Sequence, residues 1–246
     1  MEMSGFVRAR KPEQKEERRA HLLSTARALV EGTGGVDGLG LNELARQAGM
    51  TKSNVYRYFE SREAVLLALL EAEYEAWLGD LRGSLPKPCT TGTRRRRPAH
   101  ERRAAPEPAS SSIDLFARTL ARSLVSRPVL VVLTSALPTV LERNLSEEAI
   151  VAFKLRSAAF FDEVARVLEP YVPVAIGVPL MHDVVAALGG LYPYACPAEA
   201  VRRALARPEL CSMARDLEAD LERFVRALAN DWLSRGRRVP EASPVG

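Results

Sequence analysis

The sequence predicts an all-α protein, and three observations support that prediction. Apolar residues recur at the three-to-four-residue spacing of helices along most of the chain. No segment keeps the alternating apolar and polar pattern of a half-buried strand. The composition is that of a globular protein, with 47% hydrophobic and 27% charged residues. At 246 residues, the chain is long enough for one large domain or two of ordinary size.

The first third of the chain contains the pattern of four helices. They are predicted over residues 13–31, 41–48, 51–59 and 61–81. Glycines from Gly32 to Gly40 separate the first helix from the second, and Gly49 ends the second. Ser61 is a good N-cap for the fourth helix, and Glu63 lies in its first turn beside the positive end of the helix dipole.

Residues 83–112 differ in kind from the segments on either side. They contain five prolines, the arginine run Arg94–Arg97, and 7 Lys/Arg against 2 Asp/Glu, a net charge of +5. Because they lack apolar periodicity, we interpret them as a flexible Pro/Arg-rich insertion. The arginine run is either part of a solvated disordered segment or an auxiliary arm that contacts phosphates.

After the insertion the helical pattern returns. Helices are predicted over residues 113–125, 128–143, 146–168, 174–190 and 209–233. Pro128 occupies a favoured first-turn position, and Pro138 predicts a kink. Ser146 opens the third of these helices, and Pro193 and Pro197 indicate a loop with a short helical turn. The helix over 174–190 is apolar nearly all round, which predicts burial at an interface.

The sequence indicates a cytoplasmic protein without membrane contact. No apolar run approaches the roughly 18–20 residues of a spanning helix. The charged stretch 1–19 lacks the apolar segment of a signal peptide. The three cysteines are widely spaced and form no Cys-x-x-Cys, which fits a reducing compartment.

Residues 44–59 have the spacing of a helix-turn-helix. Ala45 supplies a small side chain where two helices cross closely, and Gly49 allows the left-handed backbone of a sharp turn. The apolar residues that would hold the two helices together are Leu44, Ala48, Met50 and Val55. The segment therefore fits the motif at every position that the geometry constrains.

The second helix of this motif has an outward face suited to a DNA groove. At 100° per residue, Val55 and Phe59 share one face. The opposite face holds Lys52, Ser53, Tyr56 and Arg57. Its cations can pair with guanine edges or phosphates, and its hydroxyls and Asn54 can donate to phosphates or bases. Residues 50–59 contain no acidic side chain, as a surface near phosphates requires. Spacing alone leaves open an ordinary solvated two-helix corner.

The stretch from Leu39 to Leu70 resembles the N-terminal domain of the TetR family of one-component transcriptional regulators. The resemblance lies in "LNELARQAGMTKSNVYRYFESREAVLLALL", above all in its aromatic block and the Ser-Arg-Glu that follows. It covers roughly residues 15–80. It implies the following division of the chain: a three-helix DNA-binding domain over 13–60, a linking helix over 61–82, and a helical ligand-binding and dimerisation domain over 113–235.

The resemblance also implies which residues contact DNA. Positions that match DNA-approaching residues of the family are Lys52, Ser53, Asn54, Tyr56, Arg57 and Tyr58. Arg62 matches a lysine commonly found on the DNA backbone, and Asn42 matches a frequent Arg or Thr contact. Gly40 departs from the family, which usually has Thr or Ser as the helix cap there. Without that hydroxyl, this chain lacks a group that often contacts a phosphate. The start of the second helix also lacks the hydrogen bond that such a cap supplies.

These observations predict a ligand-responsive transcriptional regulator, most simply a repressor. A dimer doubles the few base pairs that one helix reads and predicts a palindromic operator. A small molecule that prefers a dimer with misplaced reading helices would release the DNA. The helices over 174–190 and 209–233 are the predicted homodimer interface, unless their apolar stripes only close the monomer core.

The predicted pocket for this unidentified effector lies among the helices over 113–125, 128–143, 146–168 and 174–190. Its candidate lining residues are Phe116, Leu133, Leu137, Phe153, Arg156, Phe160 and His182. Each of these is either a ligand contact or plain core. Arg156 is the candidate partner for an anion, and His182 has the alternative of a satisfied interface histidine.

The sequence argues against an enzyme and against a bound cofactor or metal. None of the three histidines has a carboxylate at metal-ligand spacing, and neither Gly-x-Ser-x-Gly nor a phosphate-binding glycine loop occurs. The alternative function is a sequence-blind nucleic-acid-binding or architectural protein, which the run Arg94–Arg97 would support. A regulator distinguishes one palindrome from random duplex at physiological salt, and an architectural protein does not.

Overall fold

The computed structural model describes residues 12–85, 110–142 and 145–236. Within these residues the structure is helical and contains no strand, which confirms the all-α class. The helices are α1 (Pro12–Thr33), α2 (Leu41–Gln47), α3 (Lys52–Val55), α4 (Arg62–Ser84), α5 (Ser110–Val125), α6 (Pro128–Ala136), α7 (Glu147–Leu168), α8 (Val174–Ala195), α9 (Glu199–Leu205) and α10 (Leu217–Gly236). The centre of the predicted insertion, including Arg94–Arg97, lies outside the described residues.

Side-chain caps start three of the long helices. The Ser61 hydroxyl accepts a hydrogen bond from the Ala64 amide at 3.0 Å, and the Ser146 hydroxyl accepts one from Ala149 at 3.2 Å. Both were predicted from sequence, because a hydroxyl at this position satisfies an otherwise unpaired amide. The Asp216 carboxylate caps α10 in the same way.

The last two long helices depart from their predicted bounds. α8 continues through Pro193 to Ala195, so the predicted end at residue 190 is wrong. Pro193 has no amide hydrogen, so one helical hydrogen bond is missing there, and the helix ends two residues later. The last helix begins at Leu217 and not at 209, since a short 3₁₀ turn (Cys211–Met213) precedes it. At Pro138, where the sequence predicts a kink, α6 gives way to a π-helical turn (Leu137–Leu141).

The linking helix α4 joins the two parts of the molecule. It packs on α1, α5 and α6. Trp77 is fully buried, and its indole Nε1 donates to the Ser123 hydroxyl of α5 at 3.1 Å. One continuous hydrophobic core therefore runs from the first three helices along α4 into the C-terminal bundle.

Helix α8 is long and apolar enough to cross a membrane, by length and composition alone. This corrects the expectation that no apolar segment approaches that length. The pair α5 and α6 passes the same test only when taken together across a bend of 87°. In this fold, α8 packs against α6, α7 and α10, with its middle buried at Leu180, Met181 and Val184. About a third of its apolar stretch is buried, so an apolar face of α8 stays uncovered in this chain.

Candidate nucleic-acid interface and cavity

A left-handed glycine fixes the turn between α2 and α3. Gly49 has φ of +65°, and its amide bonds to the Arg46 carbonyl at 3.3 Å. The Met50 amide bonds to the Ala45 carbonyl at 2.9 Å, which completes a Schellman motif. Thr51 then caps α3, with its hydroxyl accepting from the Asn54 amide at 3.3 Å. The turn therefore has the helix-turn-helix geometry that the sequence predicts.

We expect Gly49→Ala to lower the free energy of unfolding by about 1 kcal/mol, because alanine disfavours the left-handed conformation. No atom lies within 4 Å of the added Cβ, so the cost arises in the backbone. Urea unfolding measures it. Gly35→Ala is the control, since Gly35 has the same open space without a positive φ. An equal loss in both variants would contradict this account of the turn.

The outward face of α3 is exposed as predicted. Its exposed side chains are Lys52, Ser53, Asn54, Tyr56 and Arg57, whereas Val55 and Phe59 are buried. The regular helix is shorter than the predicted 51–59, but the amides of Tyr58 and Phe59 both bond to the Val55 carbonyl and continue the turn. The Lys52 ammonium lies 5.8 Å from the centre of the Tyr56 ring, which holds both groups at the surface.

A polar pocket of about 270 Å³ lies beside this face. It is lined by Asn54, Arg57, the half-buried Tyr58, the Gly49 turn and Arg18 of α1. Sequence reasoning missed Arg18, although the basic residues near the start of α1 were the available signal. The His21 imidazole lies 3.3 Å from the Ala48 carbonyl and ties α1 to the turn. Arg18 of α1 and Arg57 of the turn after α3 thus both line a pocket where an anion could bind.

Helix α2 contributes less positive charge than its sequence suggests. Asn42 is exposed, but the Arg46 guanidinium bonds to both oxygens of Glu43, at 2.9 and 2.5 Å. The hydrogen bonds from Arg46 and Gln47 lower the pKa of Glu43 to about 2, so this carboxylate stays ionised and neutralises Arg46. Gly40 begins α2 without a side-chain cap, as its sequence requires.

Arg62 makes internal contacts that the family resemblance does not suggest. Its Nε donates to the Leu39 carbonyl at 2.6 Å, and a second guanidinium nitrogen donates to the Val36 carbonyl at 2.5 Å. Asp37 lies 3.8 Å away. The side chain therefore fastens the start of α4 to the loop before α2.

A cavity of about 840 Å³ opens among α4, the end of α6, α7 and α8. Of the predicted lining residues, Leu137, Phe153 and His182 line it. Sequence reasoning missed several other lining residues, among them Tyr74, Thr134, Ser157, Phe161 and Val185. Cavity-lining residues and core residues on these helices have the same kinds of side chain. No sequence signal therefore distinguishes a lining residue from a core residue.

The other four predicted lining residues lie outside the lining of this cavity, and the same holds for α5 as a whole. Phe116 is fully buried and stacks on Tyr171 with ring centres 5.4 Å apart, and Leu133 is core. Phe160 stacks on Tyr74 at 5.0 Å. Arg156 is exposed and pairs with Glu71 at 2.7 Å. These residues belong to the packed interior or to the surface and do not line the cavity.

A second, apolar groove of about 600 Å³ lies among α8, α9 and α10. Four of its apolar side chains are exposed in the single chain: Tyr194, Val201, Met213 and Phe224. Exposed aromatic and aliphatic side chains that adjoin one another mark surfaces that another molecule covers.

Comparisons with known proteins agree with this geometry. The model of the bacterial regulatory proteins of the tetR family matches residues 22–69, and the tetracyclin repressor-like C-terminal domain matches residues 71–231. The HTH-type transcriptional repressor NemR of Escherichia coli strain K12 is 42% identical over 59 residues, which are 24% of this chain. The match spans only 29% of the length of NemR.

A solved structure shows the same fold over nearly the whole chain. A TetR transcriptional regulator from Rhodococcus sp. RHA1 aligns with a TM-score of 0.50 at 12% sequence identity. The alignment covers 89% of this chain and 98% of the other. With both of its parts matched by family models, this chain belongs to the TetR family of transcriptional regulators.

Proposed function

We propose that this protein is a repressor that binds a palindromic operator as a homodimer and is released by a small molecule. The exposed, acid-free face of α3 is the observation that supports it most directly. The proposed DNA contacts are Asn42, Lys52, Ser53, Asn54, Tyr56, Arg57 and Tyr58, joined by Arg18. For Arg62 we propose a positioning role through its two carbonyl contacts. Repression is favoured because NemR, which resembles this segment, is a repressor.

The proposed functional division follows the helices. Residues 13–60 bind DNA, the linking helix begins at Ser61, and residues 113–235 bind the effector and dimerise. We assign the dimer interface to α8 and α10, because they leave apolar side chains exposed along their shared groove. Two helices from each subunit would form a four-helix bundle. The dimer would place two reading helices on half-sites about one helical turn apart, or somewhat more.

One contact, beside residues that line the cavity, supports coupling between the cavity and the reading helix. The Tyr192 hydroxyl of α8 donates to the Gly34 carbonyl, in the loop before α2, at 3.3 Å. Its neighbours Gly190 and Pro193 line the cavity. A ligand that moves the end of α8 would therefore move the helix-turn-helix. Since release needs only a differential affinity for the two arrangements, a small shift suffices.

The test is selection of bound duplexes from a random pool, at about 150 mM salt. We expect enrichment of one palindrome, and fluorescence anisotropy then measures its affinity. Arg57→Ala should weaken binding about 10- to 100-fold, the range for loss of one arginine that contacts a base. Arg166→Ala, an exposed arginine of α7, is the matched control and should leave affinity unchanged.

One result of this test would contradict the proposed function. Equal binding to every duplex, unchanged by Arg57→Ala, would overturn the regulator proposal. That outcome would favour the sequence-blind alternative, in which the arginine run of the insertion attracts phosphates. Steep salt dependence without sequence preference would accompany it.

A further inference from the structure

We propose that the cavity among α4, α6, α7 and α8 takes an uncharged, largely apolar molecule with one hydrogen-bonding group, which meets the Thr134 hydroxyl. The inference rests on the proposed function in one respect, since it names the chemical class of the releasing effector. Three independent features of the cavity lead to it: its walls, an unpaired buried hydroxyl, and the pairing of its charges.

The walls favour a flat, apolar molecule of moderate size. The volume of about 840 Å³ falls within the range of small-molecule sites. Phe153 and Phe161 contribute aromatic rings, and Leu137 and Val185 contribute aliphatic surface. The Phe161 ring meets the His182 imidazole edge-on, with centres 4.9 Å apart. Such walls contact planar rings well through offset or edge-to-face packing.

A buried hydroxyl without a partner marks where the polar group of the ligand belongs. Thr134 is 3% exposed and lines the cavity, and its Oγ1 meets hydrogen-bond geometry with no described residue, although the Tyr74 phenol lies beside it. Buried hydroxyls are normally bonded, because an unpaired one has lost its water without replacement. A carbonyl, hydroxyl or amine on a ligand would supply the missing partner once the Thr134 side chain turns its oxygen, which is closed to solvent, toward the cavity.

The Tyr74 phenol adds a second neutral group beside Thr134. Burial raises the pKa of Tyr74, and the Thr134 hydroxyl, which lies near the phenol without meeting hydrogen-bond geometry, lowers it in part. The phenol therefore stays protonated at neutral pH and adds no negative charge to the wall. Both hydroxyls are neutral, which suits a neutral ligand better than an ion.

The charged residues of the lining cancel one another. Lys154 and Glu142 pair at 2.5 Å, so neither is available to a ligand without breaking that bond. Arg156, the cation that sequence analysis offered to an anion, is bound to Glu71 and is absent from the lining. A charged ligand would lose its hydration here without gaining a counter-ion. The cavity therefore favours uncharged molecules.

Two fluorescent probes with one skeleton test the charge requirement. N-phenyl-1-naphthylamine is neutral, and 8-anilinonaphthalene-1-sulfonate adds a sulfonate to the same rings. We expect the neutral probe to bind the full chain saturably at pH 8, where imidazoles are ordinarily neutral. The sulfonate should bind at least tenfold more weakly. Equal or tighter binding of the sulfonate would overturn the proposed class.

A pair of neighbouring residues on α7 locates the binding. Ala158 lines the cavity and Ala159 does not, although both are exposed. Ala158→Trp should weaken the neutral probe at least tenfold, and Ala159→Trp should leave it unchanged. Equal affinities in the two variants would overturn the site and place the probe elsewhere, for example in the groove of α8 to α10.

Thr134→Val tests the hydrogen bond. The variant keeps the shape of the side chain and removes the unpaired hydroxyl, so it should weaken the neutral probe about three- to tenfold. It should also raise the thermal midpoint of the ligand-free protein, because a buried unsatisfied group is gone. Unchanged affinity would overturn the role of Thr134.

These measurements need no DNA, so they fail independently of the proposed function. If no operator is found, the regulator proposal falls while the ligand class stands. If the neutral probe fills the cavity but leaves the operator complex intact at saturation, the assignment of this cavity to the effector is overturned. Release of the operator by the neutral probe, abolished in Ala158→Trp, is the expected result.

Discussion

Replacing Glu73 with alanine should lower the free energy of unfolding by about 3 kcal/mol, the low end of the range for breaking a buried ion pair. The Glu73 side chain is only 6% exposed, and its two oxygens lie 2.9 Å from Arg27 and 3.2 Å from Arg127. Without the carboxylate, Arg127 stays largely buried with only Asp80 as its partner. The loss stays near the lower limit because Arg27 is about half exposed and water can solvate it.

Asp80→Ala is the matched control within the same network. Asp80 also bonds to Arg127, at 2.5 Å, but its side chain is 72% exposed. An exposed pair of this kind contributes roughly 0–1 kcal/mol. Urea unfolding of both variants measures the difference. Equal losses would mean that burial of the Glu73 carboxylate does not determine its importance.

The same network gives Glu73 a second expected effect. Arg27 belongs to α1, Glu73 to α4, and Arg127 precedes α6, so one carboxylate joins the DNA-binding helices to the C-terminal bundle. Glu73→Gln keeps hydrogen-bonding capacity and loses the charge. It should therefore be less destabilised than Glu73→Ala. If the proposed release of operator by a ligand is transmitted through this network, Glu73→Gln should also weaken that release.

Local chemistry made much of the fold predictable. Ser61 and Ser146 cap their helices because a hydroxyl before a helix satisfies a free amide, whatever the rest of the chain does. Gly49 adopts positive φ because the turn demands it. The exposed face of α3 was predictable from the helical period. That period places the apolar Val55 and Phe59 on one side, which is buried.

Long-range contacts were not predictable from one sequence. The partners of Arg62 are backbone carbonyls more than 20 residues away, and backbone groups leave no sequence signal. Phe116 and Phe153 are equally apolar and equally buried, yet only Phe153 reaches the cavity. Periodicity shows which face of a helix is inward, and cannot show whether a core or a void lies beyond it.

The close crossing of α7 and α8 gives the second large effect, which depends on Gly177. A Cβ added at Gly177 would lie 2.6 Å from the Ala165 Cβ and 2.9 Å from its Cα. Replacing a glycine inside a helix with alanine normally raises the free energy of unfolding by about 0.5–1 kcal/mol. Here the added Cβ overpacks the contact with Ala165, which costs about 1–3 kcal/mol or more and should outweigh that gain. We expect Gly177→Ala to lower the free energy of unfolding by about 2 kcal/mol.

Gly79→Ala in α4 should have the opposite sign. Nothing lies within 4 Å of a Cβ there, so only the gain in helix propensity, about 0.5–1 kcal/mol, remains. Thermal and urea unfolding of both variants test the sign. Because α7 and α8 form facing walls of the cavity, Gly177→Ala should also alter binding of the neutral probe, which Gly79→Ala should leave unchanged. Stabilisation by both substitutions would mean that α7 and α8 can move apart without cost, and that their spacing does not define the cavity.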